Sequence, residues 1–361
     1  MKHFLLAQIL ASFFSSAQSQ AQTAAHGAYT LFPQGSIRVI GMGGAFAALS
    51  DDASGMLFNP AGMAQGKWKY DFGAATIQVD NIIGADSEAV TDINQKYTVQ
   101  FYTAAAKVSK NVVIGIGYSS PFKLEAGNVD SSFQQELSLQ SLDLSLSVSF
   151  GKISLGATGH YEQSTLRFRD DTVSIALIEE KNTIIYPTLG VSFREKKGGF
   201  GISYVPKRTH DIDESVNSAN FGSFWFRDVQ IPGKVTVGAF FYARENLLIV
   251  VDLDLVEAPD NAIVAGTGTN SAADGTALLE QKRSVLHGGI EYLFLKNSSA
   301  EVRMLAGGYE EPTLIEGDKT RLHLTLGLEV RLGPVVLGVS YDQAKNFQNT
   351  AAGLSLSLGD I

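Results

Sequence analysis

Strict alternation of apolar and polar residues recurs along this chain and sets its architecture. From Ser141 to Phe150, Leu142, Leu144, Leu146, Val148 and Phe150 fall on one face of an extended strand, while Ser141, Asp143, Ser145, Ser147 and Ser149 take the other. The register returns from Arg321 to Arg331, where Leu322, Leu324, Leu326, Leu328 and Val330 oppose Arg321, His323, Thr325, Glu329 and Arg331. Leu247, Ile249, Val251, Leu253 and Leu255 form a third row with Asp252 and Asp254 opposite, and Leu354, Leu356 and Leu358 face away from Ser355 and Ser357. A helix would smear both sets around its circumference. The pattern predicts about fourteen strands, near 68–79, 95–107, 111–120, 136–150, 152–168, 182–194, 198–206, 223–243, 246–257, 282–294, 300–310, 320–332, 334–343 and 350–359. Strands of about 9 to 11 residues suffice to cross a bilayer, and an even number suits a closed antiparallel barrel.

The connections are uneven. Lys110-Asn111, Gly151-Lys152, Glu245-Asn246 and Gly333-Pro334 read as tight hairpins at one end, whereas polar stretches near 80–94, 121–135, 169–181, 207–222, 258–281 and 311–319 read as longer loops at the other. The chain opens on Lys2 and His3, an apolar run from Phe4 to Phe14, and the small polar segment Ser15 to Ala21. That run is too short to span a bilayer as a helix, so residues 1–21 read as a secretory signal cleaved after Ala21. No other segment approaches the roughly 18 to 20 continuous apolar residues of a transmembrane helix, so any crossing must be made by strands.

Composition removes several chemistries. Cysteine is absent, which excludes disulfides, thiolate metal sites and a cysteine nucleophile. The formal net charge of −9, with no basic stripe, argues against a nucleic-acid partner. His160, His287 and His323 stand on different strands without metal-ligand spacing, so no metal is expected. Gly41-Met42-Gly43-Gly44 lacks a surrounding βαβ unit, so no dinucleotide or other cofactor is expected. No motif nominates a catalytic nucleophile. The alternation instead turns Asp143, Asp252, Asp254, His287, Glu291, Arg303, Arg321, His323, Glu329 and Arg331 inward as polar lumen residues, either paired across strands or lining a wetted lumen. Phe101, Tyr118, Phe150, Tyr204, Trp225, Tyr292 and Tyr341 fall near strand ends, where interfacial aromatic girdles sit.

Ahead of the strands lie Gly41-Met42-Gly43-Gly44-Ala45-Phe46, Asp51-Asp52-Ala53-Ser54 and Asn59-Pro60-Ala61-Gly62. The glycines permit positive φ and close backbone approach, Asp51 or Asp52 can cap a short helix, and Pro60 is expected to stop it while holding Asn59 extended. This segment resembles the N-terminal signature of the FadL/TodX family of outer-membrane transport proteins, and almost as well that of the PorV/PorQ group. Val229-Gln230-Ile231-Pro232-Gly233-Lys234, followed by 235–242, resembles the family's mid-barrel strand. His287 to Tyr292 and Arg303 to Pro312 resemble its late hairpin. The chain is shorter than typical FadL-like transporters and ends in Leu358-Gly359-Asp360-Ile361 without a terminal aromatic.

The resemblance implies an all-β fold: a transmembrane antiparallel β-barrel of about fourteen strands in residues 67–361, with residues 22–66 forming a plug, or hatch, inside the lumen. It implies a bacterial outer-membrane address and passive, plug-gated uptake of hydrophobic small molecules such as long-chain fatty acids or aromatic hydrocarbons. Gly41, Gly43, Gly44 and Phe46 would form the gating turn, with Asn59, Pro60 and Ala61 as its anchor. The expected partners are a hydrophobic ligand, outer-membrane lipid and the barrel-assembly machinery, with the chain acting as a monomer. A PorV-like protein that docks or shuttles secreted proteins is the alternative, and a structural barrel without transport the third.

Overall fold

Alternation closes into a ring. The computed structural model describes residues 33–83, 93–127, 133–170, 175–211, 214–218, 222–226, 229–258, 263–267, 275–277, 282–312 and 319–359. The expected signal at 1–21, and residues 22–32 of the expected plug, lie outside the described residues. Fourteen antiparallel strands form the closed barrel. In chain order they are β1 Tyr70–Ile83, β2 Ile93–Ser109, β3 Val112–Gly127, β4 Phe133–Phe150, β5 Ile153–Asp170, β6 Ile175–Arg194, β7 Gly198–Val205, β8 Lys234–Arg244, β9 Leu247–Val256, β10 Arg283–Lys296, β11 Ala300–Glu311, β12 Arg321–Leu332, β13 Val335–Ala344 and β14 Phe347–Leu358. Strand β1 pairs with β14 from Tyr70↔Leu358 to Asn81↔Phe347, so the barrel leaves no free edge and the ladders satisfy its backbone groups internally.

The two faces separate as the alternation predicts. Leu144, Leu322, Leu324 and Leu326 stand on the outer surface, each at least 61% exposed, whereas Asp143, His323 and Thr325 are buried inside. An outer face this apolar is stable against hydrocarbon and unstable against water, which places the barrel in a bilayer. The tight turns at 110–111, 151–152, 245–246 and 333–334 share one end. By the usual asymmetry of such barrels, that end faces the periplasm.

Four expectations are revised. The strand expected at 223–243 is broken: Pro232 and Gly233 separate β8 from short segments at Gly222–Phe226 and Val229–Ile231 outside the barrel, because proline cannot donate to a ladder. The loops expected at 121–135 and 169–181 are largely strand, since β3, β4, β5 and β6 extend well beyond what a bilayer crossing needs. Within the expected loops 207–222 and 258–281, Glu214–Ser218, Ile263–Thr267 and Gly275–Ala277 join Gly222–Phe226 in a separate four-stranded sheet. Phe101 is not a girdle residue: it follows Val99 on the inner face and is buried. The side chain of Trp225 lies outside the described residues.

Replacing Leu326 with Arg is expected to cost about 2 to 4 kcal/mol if the residue lies near the bilayer midplane. Its yield of heat-modifiable folded barrel should fall well below that of Leu326→Ala, measured by gel mobility after folding into vesicles.

Candidate functional site

Residues 33–66 lie within the ring, and the local sequence explains their path. Helix α1, Ile37–Gly41, is a single short turn of helix that ends where Gly43 (φ +66°) and Gly44 (φ +83°) adopt left-handed backbone. Gly41 itself is right-handed and serves close approach: a Cβ there would meet the Leu305 side chain. Asp52 accepts from the Ser54 N–H at 2.9 Å and caps a 3₁₀ turn at Ala53–Leu57. Pro60 does not stop that turn. It opens a second one, Pro60–Gln65, in the first helical position, where its missing N–H costs nothing, with Asn59 as the N-cap.

This irregular backbone must find partners, because a lumen wall offers it no ladder. The barrel supplies them with side chains. One oxygen of Asp252 accepts the Phe46 and Ala47 N–H groups at 2.6 and 2.7 Å. His287 Nδ1 donates to the Gly43 carbonyl at 2.7 Å, and the Thr325 hydroxyl donates to Gly41 at 3.0 Å. Thr158 donates to the Met56 carbonyl at 2.9 Å, Ser147 donates to Ala61 at 3.2 Å, and Asp71 accepts from the Ala53 N–H at 2.7 Å. Asn59, fully buried, donates through Nδ2 to the Ala47 and Val191 carbonyls at 2.7 and 3.1 Å. The wall opposite this segment is built of inward glycines. Gly190 faces Asn59, Gly156 faces Pro60 and Ala61, Gly201 faces Ala47, and Gly289 and Gly307 face Met42. A side chain at any of these positions would occupy the segment's own space. Phe46 is buried in an apolar cluster with Met42, Leu49, Phe240, Leu248 and Val250, edge-on to Phe58 at 5.8 Å.

The expected lumen residues fall into three groups. Asp252 and His287 grip the segment directly. Glu291, Arg303, Glu329 and Arg331 line a cavity of about 1590 Å³ that opens among the tight turns, with Arg38, Asp51, Asp52 and Arg194 in its lining. There Arg38 bridges Glu291 (2.5 Å) and Asp51 (2.6 Å), and Arg194 reaches Asp51 at 3.2 Å and the Leu49 carbonyl at 2.5 Å. Arg303 lies 3.6 Å from Glu291 and 3.8 Å from Glu329, and Arg331 lies 3.9 Å from Glu301. The remaining residues belong to the long-hairpin half. Lys234 meets Asp254 at 2.8 Å, and Arg321 meets Glu311 at 2.5 Å. His323 faces carboxylates at both ring nitrogens, Asp342 at 3.0 Å and Glu311 at 3.1 Å, and Asp143 pairs with His160 at 2.7 Å. Sequence reasoning missed Arg38, Asp51 and Arg194 as an ionic latch, and missed Thr158, Ser147, Thr325 and Asp71 as grips. Their inward parity was readable, but not their partners.

Two adjacent carboxyls in the segment respond oppositely to burial. Burial alone would raise the Asp51 carboxyl, but Arg38 and Arg194 override it and lower it to about 2. Burial, followed by repulsion from Asp71, raises Asp52 to about 7 from an ordinary 3.8. The docked segment therefore binds a proton at Asp52 that an undocked one releases. Docking weakens as pH rises from about 4 to about 7 and levels off above that. For Asp51 the sign reverses, and docking is lost as pH falls from about 4 toward about 2. Amide exchange across residues 52–57 should accelerate between pH 4 and 7 after correction for intrinsic rates, and Asp52→Asn should flatten that slope. Asp252→Ala removes two charge-assisted bonds, each worth about 1.5 to 3 kcal/mol. It is expected to speed exchange of the Phe46 and Ala47 amides at least about tenfold while the barrel keeps its heat-modifiable mobility.

No protein-family model matches the chain, and no curated protein matches its sequence. Solved structures do share its architecture. A FadL homologue from Pseudomonas aeruginosa aligns with a TM-score of 0.67 at 12% identity, over 90% of this chain and 98% of that one. The toluene transporter TbuX of Ralstonia pickettii gives 0.65 at 16% identity, over 91% and 99%, and the toluene transporter TodX of P. putida gives 0.64 at 15%, over 91% and 99%. At these identities the likeness is one of fold, and it agrees with the apolar outer belt in placing the chain in the bacterial outer membrane. The chain is a fourteen-stranded outer-membrane β-barrel with the fold of the FadL- and TodX-type channels.

Proposed function

We propose that this protein is a channel for passive uptake of hydrophobic small molecules, long-chain fatty acids or aromatic hydrocarbons, across the outer membrane. In this reading residues 1–21 are removed, residues 22–66 are the plug, and residues 67–361 form a monomeric barrel inserted by the barrel-assembly machinery. The observation that carries the reading is the inner wall on the long-hairpin side of the plug. Ile77, Val79, Val99, Leu137, Leu139 and Leu166 all point inward there and are buried. A water-filled pore is lined by polar groups, whereas an apolar inner wall favours a ligand that leaves water. Each methylene transferred contributes about 0.8 kcal/mol, so ten contribute about 8 kcal/mol and no energy source is required for capture. Release then needs a state that holds the ligand less tightly, which a shift of the plug provides.

The exit that best suits such a ligand is sideways. In β3 the register slips between Ser119, opposite Ser141, and Phe122, opposite Leu139, leaving Ser120 and Pro121 against one partner residue. Pro121 has no N–H to give the ladder, so the wall is weakest there. Asn59, Pro60 and Ala61 anchor the plug on β5 and β6, beyond β4 from this slip, and Gly43, Gly44 and Phe46 form a turn that His287 and Asp252 hold to β10 and β9.

Asn59→Ala deletes the bonds to Ala47 and Val191 but leaves every barrel strand intact. Uptake of labelled toluene and of a labelled long-chain fatty acid is to be compared in cells carrying the wild type, Asn59→Ala or no copy. The expected outcome is slower uptake of at least one substrate without the protein, and an altered rate in Asn59→Ala at equal barrel abundance. A deletion strain that imports both as fast as its parent, yet loses a secreted or surface protein, would replace this reading with the PorV-like one.

A further inference from the structure

The slip in β3 adjoins a buried carboxylate with one oxygen unused. Among the described residues, the other barrel register shifts lie near strand ends, at Lys107/Ser109, Phe168/Arg169, Tyr242/Arg244 and Leu293/Leu295. The slip after Ser119 is interior. One step toward the plug, Gly117 faces Asp143 across the β3–β4 ladder. Asp143 is fully buried. Its Oδ1 accepts the Ser141 hydroxyl at 2.5 Å and pairs with His160 Nδ1 at 2.7 Å, while its Oδ2 has no hydrogen-bond partner among the described residues.

The geometry around this oxygen is fixed on one side and soft on the other. His160 is held by Thr188 at 2.7 Å through Nε2 and by Tyr186 stacked at 4.6 Å, so the carboxylate cannot rotate freely. On the β3 side the residue directly opposite is Gly117, which has no side chain. A Cβ on Gly117 would lie 3.3 Å from Asp143 Oδ2 and 2.6 Å from the sulfur of Met56, which belongs to the plug. A methionine is the most adaptable apolar lid available, with three rotatable bonds and no polar group to satisfy. A buried carboxylate oxygen without a donor costs free energy, and such a group in a native fold calls for an explanation. A role in receiving a donor from a transient occupant supplies one.

Resting on the uptake reading above, we propose that Asp143 Oδ2 is the acceptor for a hydroxyl on an otherwise apolar ligand, an alcohol or a phenol, held beside the β3 slip once Met56 withdraws. The apolar wall of Leu137 and Leu139 on the same strand receives the hydrocarbon body. A neutral hydroxyl suits the site better than an ammonium, because that wall offers a second full charge no solvation. A site that hydrogen-bonds a ligand hydroxyl discriminates strongly against the analogue lacking it, since the buried acceptor is then left unpaired.

The test uses the full-length protein in cells and three labelled probes of nearly equal bulk: 4-tert-butylphenol, its methyl ether, and tert-butylbenzene. Uptake by a strain without the protein is subtracted. The wild type is expected to import the phenol about tenfold faster than the ether or the hydrocarbon. Asp143→Asn, which keeps the shape but places an amide donor at one oxygen, is expected to bring the phenol-to-hydrocarbon ratio close to one. If the ether enters as fast as the phenol in the wild type, the assignment is overturned without recourse to any variant. A ratio unchanged in a folded, heat-modifiable Asp143→Asn barrel overturns it equally. Uptake of all three probes that does not depend on the protein sinks the channel reading itself, an outcome distinct from the other two.

Discussion

The plug backbone can lie against the barrel backbone only because the wall carries glycine at the points where the two main chains meet. Inward positions that carry side chains elsewhere on the same strands hold Gly115, Gly117, Gly156, Gly190, Gly201, Gly289, Gly307 and Gly327 where residues 41–61 pass. At Gly156 and Gly201 a Cβ would fall inside the plug backbone, so the main chains themselves are in contact. That closeness lets short side chains such as Ser147, Thr158 and Thr325 reach plug carbonyls from neighbouring inward positions. An irregular segment enclosed in a barrel would otherwise carry unsatisfied backbone groups at several kcal/mol each. Glycine sets the distance, and the hydroxyls, Asp252 and His287 satisfy the bonds.

From this contact the lumen divides into two environments. Toward the tight turns, Arg38, Asp51, Arg194, Glu291 and Arg303 form an ionic lattice around an open cavity, where water can solvate what the pairs leave exposed. Toward the long hairpins, charges such as those of Arg321, Glu311 and Asp254 are individually paired, and apolar side chains fill positions between them. Asp51 and Asp52 both line that cavity and differ in their immediate neighbours. They are neighbours in sequence, yet one meets two guanidinium groups and the other meets Asp71.

Much of this was legible in the sequence, and the gaps have physical causes. The leucine rows of β4 and β12 gave strand identity and facing, since a period of two cannot be mistaken over ten residues. Ladder length was less readable: β5 and β6 run on through Arg167, Glu179, Glu180 and Lys181, because a strand beyond the bilayer no longer needs alternating polarity. Phe101 was misplaced by its aromaticity, although its parity with Val99 already pointed inward. Pro60 was read as a stop when it was a start, because both uses demand the same φ and differ only in the backbone of the residues after it. The inward glycines carried the strongest unread signal. A glycine interrupting an alternating strand at inward parity, repeated over many strands, marks where another backbone approaches. The identity of that backbone is a tertiary fact.

How the plug is held bears on how it can move. Each wall-to-backbone bond contributes about 0.5 to 1.5 kcal/mol net, somewhat more where Asp252 is the acceptor. Releasing all of them together, with the Phe46 cluster and the Arg38 lattice, is out of proportion to what one apolar ligand supplies. Releasing a sector is not. The turn at Ala53–Leu57 is attached by Asp71 and Thr158, and its Met56 packs in an apolar cluster with Met63, Trp68, Ala105 and Val113. Freeing it costs about 4 to 8 kcal/mol once the burial of Met56 is included, comparable with the transfer free energy of about five to ten methylenes. On the channel function proposed above, a ligand pressing on that sector from the apolar half would open the side of the plug nearest β3, while Asn59, Asp252 and His287 keep the rest docked. On that function the strength of the anchors confines the motion to that sector.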